Sequence, residues 1–563
     1  MRFGRVLCVV LVILCAASTQ ADQESRVVRT TSGSVRGYKE DDVYVFYSIP
    51  YATAPTGRDK FKAPIPAPMW LETFEAVDKH IVCHQSVVFS LPPTSIYQED
   101  CLIANIFVPD TEETKLPVVV YVHGGAYQVG FGNLLTPKSL VNSKKVIAVT
   151  FNYRLGVHGF LCLGTEDVPG NAGMKDQVAL LRWVQKNIGK FGGNPNDVTI
   201  AGYSAGSSAV DLLMLSKSAK GLFNKVIPES GANIAVWSVQ IDPLNIAKEF
   251  AISQNFTDVD NIYALEEFYR SAPFEVLTSD NFMSRSDSTV MFSPCVERYI
   301  STKTERFLDD APVNILKNGK YNKVPILYGF ANMEGINRVQ MGYDLFKDKM
   351  NSKFSDFMPA DLEFESEAQK QKVAKQVKEF YFGDKAVGDD TILAYIDFFT
   401  DVMFAYSTLR AVKYHAEAGH NQVYVYEYSF PDDQIMPETI KAKVRGADHC
   451  AQTTAVLDSP PEGSEWAPPE NKSEEYKRLR AIMRELWLNF ITTGKPVPSE
   501  SALPAWPPAN ASGAPYMSLT MPPQLVDGPL LERRTRFWDA IYDKYYRTPV
   551  PPPTPPPKMH TEL

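Results

Sequence analysis

The chain is expected to form an α/β fold, with a doubly wound, mostly parallel central sheet and helices on both faces. Three observations lead there. Short unbroken runs of apolar, largely β-branched residues recur, such as LPVVVYV at 116–122 and VIAVTF at 146–151. Runs of that kind suit strands buried on both faces, as in a parallel sheet. Helical patterns alternate with these runs, which points to βαβ units. Finally, VTIAGYSAGSSAV at 198–210 reads as strand, tight G-x-S-x-G turn and helix. That succession is the context a serine raised above a sheet edge requires.

Taken in order, residues 34–47 read as a hairpin-like start, and 116–122 and 146–151 as buried strands. An amphipathic helix is expected over 176–191, because Val178, Leu181, Val184, Ile188 and Phe191 share one face. Gly192-Gly193 ends it. A strand at 198–201, the turn Gly202-Tyr203-Ser204-Ala205-Gly206 and a helix opening at 208–214 follow. Later strands are expected at 225–227, at 324–328 (VPILY) and at 423–430 (VYVYEYSF). Residues 350–420 read as helical with charged faces. Residues 456–475 and 498–515 are rich in Pro, Ser and Gly and read as loops. The ending TPVPPPTPPPKMHTEL, residues 548–563, is expected to be an extended, solvated tail.

Length and composition set bounds. A chain of 563 residues with 44% hydrophobic content can bury a large core, and length alone would suggest three or four domains. The net charge of -9, without a long basic run, argues against a nucleic-acid partner. Arg2 and Arg5, the apolar stretch 6–17 and Thr19-Gln20-Ala21 make residues 1–21 a secretory signal peptide. No later stretch reaches about 18 unbroken apolar residues, so no membrane span is expected. Of seven cysteines, Cys8 and Cys15 leave with the signal. Cys83, Cys101, Cys162, Cys295 and Cys450 remain, an odd number that implies a free thiol or a bond to another chain. An oxidising lumen allows Cys83 and Cys101 to pair. Sequons at Asn255, Asn471 and Asn510 fit the same compartment.

A serine nucleophile needs a base, an orienting acid and an oxyanion hole. His123-Gly124-Gly125-Ala126 follows the 116–122 strand and resembles an HGGG-type loop. With Ala205, the N–H groups of Gly124 and Gly125 would supply three oxyanion donors. The partners are expected in the order serine, acid, histidine. Of eight histidines, His80, His84, His123 and His158 precede Ser204, and His560 lies in the tail. His415 and His420, five residues apart, would point about 140° apart on a helix and read as surface residues, not a metal pair. His449, after the 423–430 strand, is the expected base. Glu334, the first acid after VPILY, is the expected orienting carboxylate. No metal or cofactor is called for.

Together these stretches resemble the type-B carboxylesterases, the family that includes the cholinesterases. The resemblance runs from about residue 27 to 545. It rests on FYSIPYATAPTG, the segment from Cys83 to EDCL, HGGA, NYRLGVHGF, GNAGMKDQ, FGGNPNDVTIAGYSAGS, GFANMEG and GADH. It is closest in character to insect, moth-like and odorant-degrading esterases. It implies an α/β-hydrolase fold in one domain over 22–547, the triad Ser204, Glu334 and His449, and a Cys83–Cys101 disulfide. It further implies that Ser230 hydrogen-bonds near the triad and that Arg154 pairs with Asp176. It puts Tyr203, Trp237 and Phe292 in the substrate pocket.

Departures narrow the reading. Tyr203 stands where the family usually has Glu, and the Cys83–Cys101 segment has no Trp to receive a choline cation. Lys60 stands where Arg is usual, so its pairing with Glu99 is expected to be monodentate. The expected activity is hydrolysis of neutral, apolar esters (xenobiotic, odorant or pheromone, or hormone esters) through an acyl-enzyme. The alternatives are a non-catalytic adhesion or ligand-binding relative, and a lipase. The last residues, His560-Thr561-Glu562-Leu563, resemble a luminal retrieval signal read by a retrieval receptor. The expected location is therefore the endoplasmic reticulum lumen, with secretion as the alternative.

Overall fold

The computed structural model describes residues 23–86, 91–279, 284–431, 443–458, 473–510 and 514–557. Its centre is a large sheet of which twelve strands form a continuous path. These are β1 (Ser25–Arg29), β2 (Ser34–Glu40), β3 (Val43–Pro50), β4 (Ile103–Pro109), β5 (Leu116–Val122) and β6 (Ile147–Phe151). They continue with β7 (Gly193–Tyr203), β8 (Lys225–Glu229), β9 (Ile326–Ala331), β10 (Val423–Tyr428), β11 (Tyr516–Leu519) and β12 (Gln524–Val526). The spatial order is β1-β2-β3-β4-β6-β5-β7-β8-β9-β10-β11-β12. Neighbours from β6 to β11 run parallel, and the flanking pairs at both ends run antiparallel.

The unbroken apolar runs of the sequence have the expected cause. On β5, Val118, Val120 and Val122 enter one hydrophobic cluster, while Val119 and Tyr121 enter a second cluster on the opposite face. The period-2 alternation of a strand therefore delivers apolar side chains to both faces. Helix α1 (Ala172–Asn187) and helix α2 (Ala205–Leu215) fill the first cluster. Helix α3 (Tyr406–Glu417) also lies there. The second cluster is covered by α4 (Ala451–Val456) and α5 (Glu474–Thr493). On α5, Leu479, Met483, Leu486 and Phe490 recur at helical spacing on one buried stripe. The anticipated 176–191 helix begins earlier, at Ala172, and its last turn, Ile188–Phe191, is 3-10.

Register brings the strand ends that matter to one edge. Val122 pairs with Gly202, Tyr203 with Glu229, Glu229 with Gly329, and Ala331 with Tyr428. The loops after β5, β7, β9 and β10 thus emerge side by side at the carboxyl edge. In open α/β sheets that edge is where ligands bind.

Three expectations change. First, His415 and His420 are buried, with ring centroids 5.4 Å apart. The helix stops at Glu417, and Gly419, at φ +72, turns the chain back, so the 140° offset of a continuous helix does not apply. Second, the proline-rich tail is docked along the body as far as Pro556. Pro549 and Pro552 are buried, the Val550 N–H donates to the Ile241 carbonyl (3.1 Å), and the Tyr263 hydroxyl donates to the Pro556 carbonyl (2.5 Å). Extended proline-rich backbone keeps its carbonyls free of internal bonds, so they can bond to the body instead. Third, Lys60 bonds the carbonyls of Arg270 (3.1 Å) and Ala272 (2.9 Å) in place of an ion pair with Glu99. Those carbonyls close a helix C-terminus, whose partial negative charge attracts an ammonium. The cysteines follow the odd count: Cys83 is bonded to Cys101 and Cys162 to Cys295, which leaves Cys450 as the free thiol among the described residues.

Asp211, on α2, lies at the middle of the first face. It accepts the Asn233 N–H (2.7 Å) and the Tyr328 hydroxyl (2.7 Å), and Tyr328 also meets His415 Nε2 at 3.1 Å. Burial pushes the Asp211 carboxyl up to about 7. The folded-state value then exceeds the unfolded one, so the folded chain keeps a proton that the unfolded chain loses near pH 4. Stability owed to this group is present in acid and falls as pH rises toward 7. Asp211→Asn keeps one of the two acceptor oxygens and removes the titration. Thermal melts should therefore show the variant gaining on the parent between pH 5 and pH 8; a parallel shift at both values would refute the assignment.

Candidate active site

Ser204 is the residue between β7 and α2. Its backbone holds φ 53° and ψ -122°, a sparsely populated conformation that costs roughly 1–3 kcal/mol. Two bonds hold the turn: the Ser204 N–H donates to the Glu229 carbonyl (2.8 Å), and its own carbonyl accepts the Ser208 N–H (3.1 Å). Gly206 is required here because a Cβ would lie 2.1 Å from the Val122 carbonyl oxygen. Strand and helix can cross this closely only where the side chain is absent.

The Ser204 hydroxyl faces His449, whose Nε2 lies 2.9 Å from Oγ. His449 Nδ1 lies 2.5 Å from Glu334 Oε2. Glu334 is completely buried, and its other oxygen accepts the Ser230 hydroxyl (2.5 Å) and the Ala331 N–H (2.7 Å). Gln452 donates in turn to the Ser230 hydroxyl (2.5 Å). The loop carrying the imidazole is fixed on both sides. The Met333 N–H donates to the Ala447 carbonyl (3.1 Å), and the Ala447 N–H donates to Asn332 Oδ1 (2.8 Å). Asp448 accepts the His449 N–H (2.5 Å), and burial pushes its carboxyl up to about 6. A buried, acceptor-only carboxylate on Nδ1 leaves Nε2 able to accept a proton from the serine.

The loop after β5 supplies the facing wall. Gly125, Ala126 and Tyr127 adopt φ values of 105°, 54° and 61° in succession. The Gly125 carbonyl accepts the N–H groups of Gln128 (2.8 Å) and Val129 (2.9 Å), which curls the loop tightly. Ala205 opens α2, where first-turn N–H groups have no intrahelical acceptor. Such N–H groups can hold an oxyanion, and a helix N-terminus favours developing negative charge.

The expected pocket residues are distributed unevenly. The Trp237 indole donates to the Met403 carbonyl (2.8 Å), and its ring lies 5.9 Å from Phe404, which itself lies 4.3 Å from His449. Tyr203 stacks on Tyr121 at 6.1 Å and lies where a Cβ on Gly124 would meet its ring at 2.7 Å. Phe292 is buried, meets Phe250 edge-on at 5.3 Å, and gives its carbonyl to the Gln128 amide. Its contacts tie it to the core and to the segment after the Gly124-Gly125 turn.

Sequence reasoning missed Met403, Phe404 and Gln452. Met403 and Phe404 sit on a π-helical turn, Asp401–Ala405, inserted in a run that reads as ordinary helix. Such single-turn bulges are frequent at functional sites, but hydrophobic periodicity does not reveal them. Arg154 and Asp176 do pair, through two bonds of 2.8 and 2.6 Å. Asn255 and Asn510 are exposed, and Asn471 lies outside the described residues. Among the described residues, no group of three or more metal-ligating side chains could hold an ion.

A hydroxyl on a strained strand-to-helix turn, lined up with an imidazole and a carboxylate at the carboxyl edge of a mostly parallel sheet, defines an α/β-hydrolase. Residues 24–538 match the model of the carboxylesterase family. The chain belongs to that family and is a carboxylic ester hydrolase of the serine esterase type. Esterase FE4 of Myzus persicae is 31% identical over 541 residues, covering 92% of each chain. Juvenile hormone esterase of Heliothis virescens is 31% identical, covering 90% of this chain and 92% of its own. The crystal structure of juvenile hormone esterase from Manduca sexta with OTFP covalently attached superposes with a TM-score of 0.80. It is 31% identical, and the match covers 92% of this chain and all of that one.

Proposed function

We propose that Ser204 is the nucleophile of this esterase, His449 its general base and Glu334 the orienting acid. The observation that carries this is the unbroken line from Ser204 Oγ through the imidazole to a fully buried carboxylate, at 2.9 and 2.5 Å. His449 takes the Ser204 proton as Oγ attacks the ester carbonyl. The N–H groups of Gly124, Gly125 and Ala205 hold the oxyanion. His449 then protonates the departing alcohol. Water, deprotonated by the same imidazole, cleaves the acyl-enzyme and releases the acid. A fluorophosphonate probe should label the purified protein once, and peptide mapping should find the label on Ser204. A label elsewhere, or none, would overturn the assignment.

The preferred substrates are neutral, apolar esters: xenobiotic, odorant or pheromone, or hormone esters. Phe404 beside His449, with Trp237 behind it, offers an apolar wall, and Tyr203 replaces a carboxylate at the nucleophile turn. The relatives named juvenile hormone esterase put hormone esters within the range to test. A choline ester and its uncharged isostere should differ in kcat/KM by at least about tenfold in favour of the neutral ester, an effect of roughly 1.4 kcal/mol. Equal efficiencies would refute the role given to Tyr203.

Residues 1–21 would direct the chain into the secretory pathway, with glycans on Asn255, Asn471 and Asn510. His560 to Leu563 would bind a retrieval receptor and keep the enzyme in the endoplasmic reticulum lumen. Removing those four residues should shift the protein from cell lysate to medium. Equal secretion of both forms would make it an extracellular esterase.

A further inference from the structure

One row of residues crosses four adjacent strands beneath the site. Tyr203 on β7 pairs with Glu229 on β8, Glu229 with Gly329 on β9, and Gly329 with Tyr426 on β10. Gly329 has no side chain, and a Cβ there would come within 1.9 Å of the Tyr426 ring. The ring can therefore lie across β9, and its hydroxyl reaches Glu229 Oε1 at 2.5 Å. Glu229 Oε2 accepts a second hydroxyl, that of Thr453, at 3.0 Å. Glu229 is completely buried, and burial pushes its carboxyl up to about 7. Each of its oxygens thus accepts a neutral hydroxyl, with the Trp487 indole close by.

Those two hydroxyls have different consequences. Tyr426 belongs to the sheet. Thr453 belongs to α4, the short helix that begins two residues after His449, with Cys450 at φ +64 as the turn between them. Glu229 also touches the other reacting group, because its backbone carbonyl accepts the Ser204 N–H. One residue thereby grips the serine turn through its main chain and the histidine helix through its side chain. Displacements of about 1 Å between reacting groups can cost about a hundredfold in rate.

We propose that Glu229 is a positioning residue that sets the separation between His449 Nε2 and Ser204 Oγ by holding Thr453 against the strand that carries the serine turn. The inference rests on the roles given above to Ser204 and His449. It separates the two hydroxyls that share Glu229: only the one on α4 transmits position to the imidazole.

The test compares Thr453→Val, Thr453→Ala, Thr453→Ser and Tyr426→Phe in the full-length enzyme. It reads kcat and KM on a 4-nitrophenyl ester and the rate of fluorophosphonate labelling. Thr453→Val should lower kcat and labelling together by about tenfold, with KM within about twofold. Thr453→Ala should do the same, and it serves alone if the valine variant fails to fold. Thr453→Ser, which keeps the hydroxyl, should restore both rates to within about twofold. Tyr426→Phe should stay within about twofold of the parent. Parental kcat in the folded valine or alanine variant would overturn the proposal. So would failure of serine to restore it, or an equal loss in Tyr426→Phe, which would mean a generally weakened core. Ser204→Ala assayed alongside separates this from the triad: turnover near the parental rate in that variant would overturn the triad whatever position 453 does.

Discussion

Ser204→Ala is expected to lower kcat for ester hydrolysis by about a millionfold, the scale seen when a serine of such a unit is removed alone. The substitution takes away one oxygen and keeps the Cβ, so the turn at φ 53° and ψ -122° is asked to do nothing new. The bonds that hold the turn, from the Ser204 N–H to the Glu229 carbonyl and from the Ser208 N–H to the Ser204 carbonyl, are main-chain bonds and survive. What disappears is the 2.9 Å contact with His449 Nε2. The thermal midpoint should therefore stay within a few degrees of the parent, since a single side-chain hydrogen bond contributes about 1 kcal/mol. Residual hydrolysis should remain above the uncatalysed rate, because the substitution leaves the proposed oxyanion donors, the N–H groups of Gly124, Gly125 and Ala205, in place. Burst kinetics and fluorophosphonate labelling should both vanish. Retention of turnover in the folded variant would remove Ser204 from the mechanism.

The parts of the site that the sequence made legible are those fixed by backbone. Gly202 and Gly206 around Ser204 announce a strand crossing a helix at contact distance, and His123-Gly124-Gly125 announces a tight loop beside it. Order along the chain points to Glu334 and His449, since each follows a strand whose apolar run is unmistakable. What stayed hidden depends on departures from regular geometry. The π-helical turn at Asp401–Ala405 alters which residues of an apolar helix face the site, and composition is blind to that change. The offset that turns His415 and His420 outward holds only for a helix continued through Gly419, where the chain reverses. The pairing of Cys162 with Cys295, across 133 residues, was undetermined because sequence spacing does not give connectivity. Glu229 and Thr453 looked ordinary for a related reason. Their meeting depends on the register of strands and helix, which only three-dimensional packing supplies.

Arg154→Met is expected to destabilise the protein by about 3–5 kcal/mol, the cost of leaving a buried charge without its partner. Arg154 is 3% exposed and Asp176 0%. The guanidinium Nε and Nη2 donate to the two Asp176 oxygens at 2.8 and 2.6 Å, and the Arg154 backbone N–H adds a third bond at 3.1 Å. The remaining guanidinium bonds reach the carbonyls of Lys60 (3.0 Å), Lys62 (2.8 Å) and Ala172 (3.4 Å), joining an N-terminal loop to the start of α1. Methionine fills much of the volume and supplies none of the guanidinium donors, so Asp176 keeps only the backbone N–H and the carbonyls of Lys60, Lys62 and Ala172 each lose a donor. Lysine cannot rescue fully, because a single ammonium cannot reproduce the planar fork. The companion variant Arg154→Met with Asp176→Leu should recover more than half of the loss, since an apolar replacement of a whole buried pair is often close to neutral. Scanning calorimetry on the parent and the three variants reads this directly. The kcat of the molecules that remain folded should hold, because the pair's bonds run to each other and to backbone carbonyls. If Arg154→Met melted with the parent, or if the double variant fell further than the single, the pair would not be the support that its geometry describes.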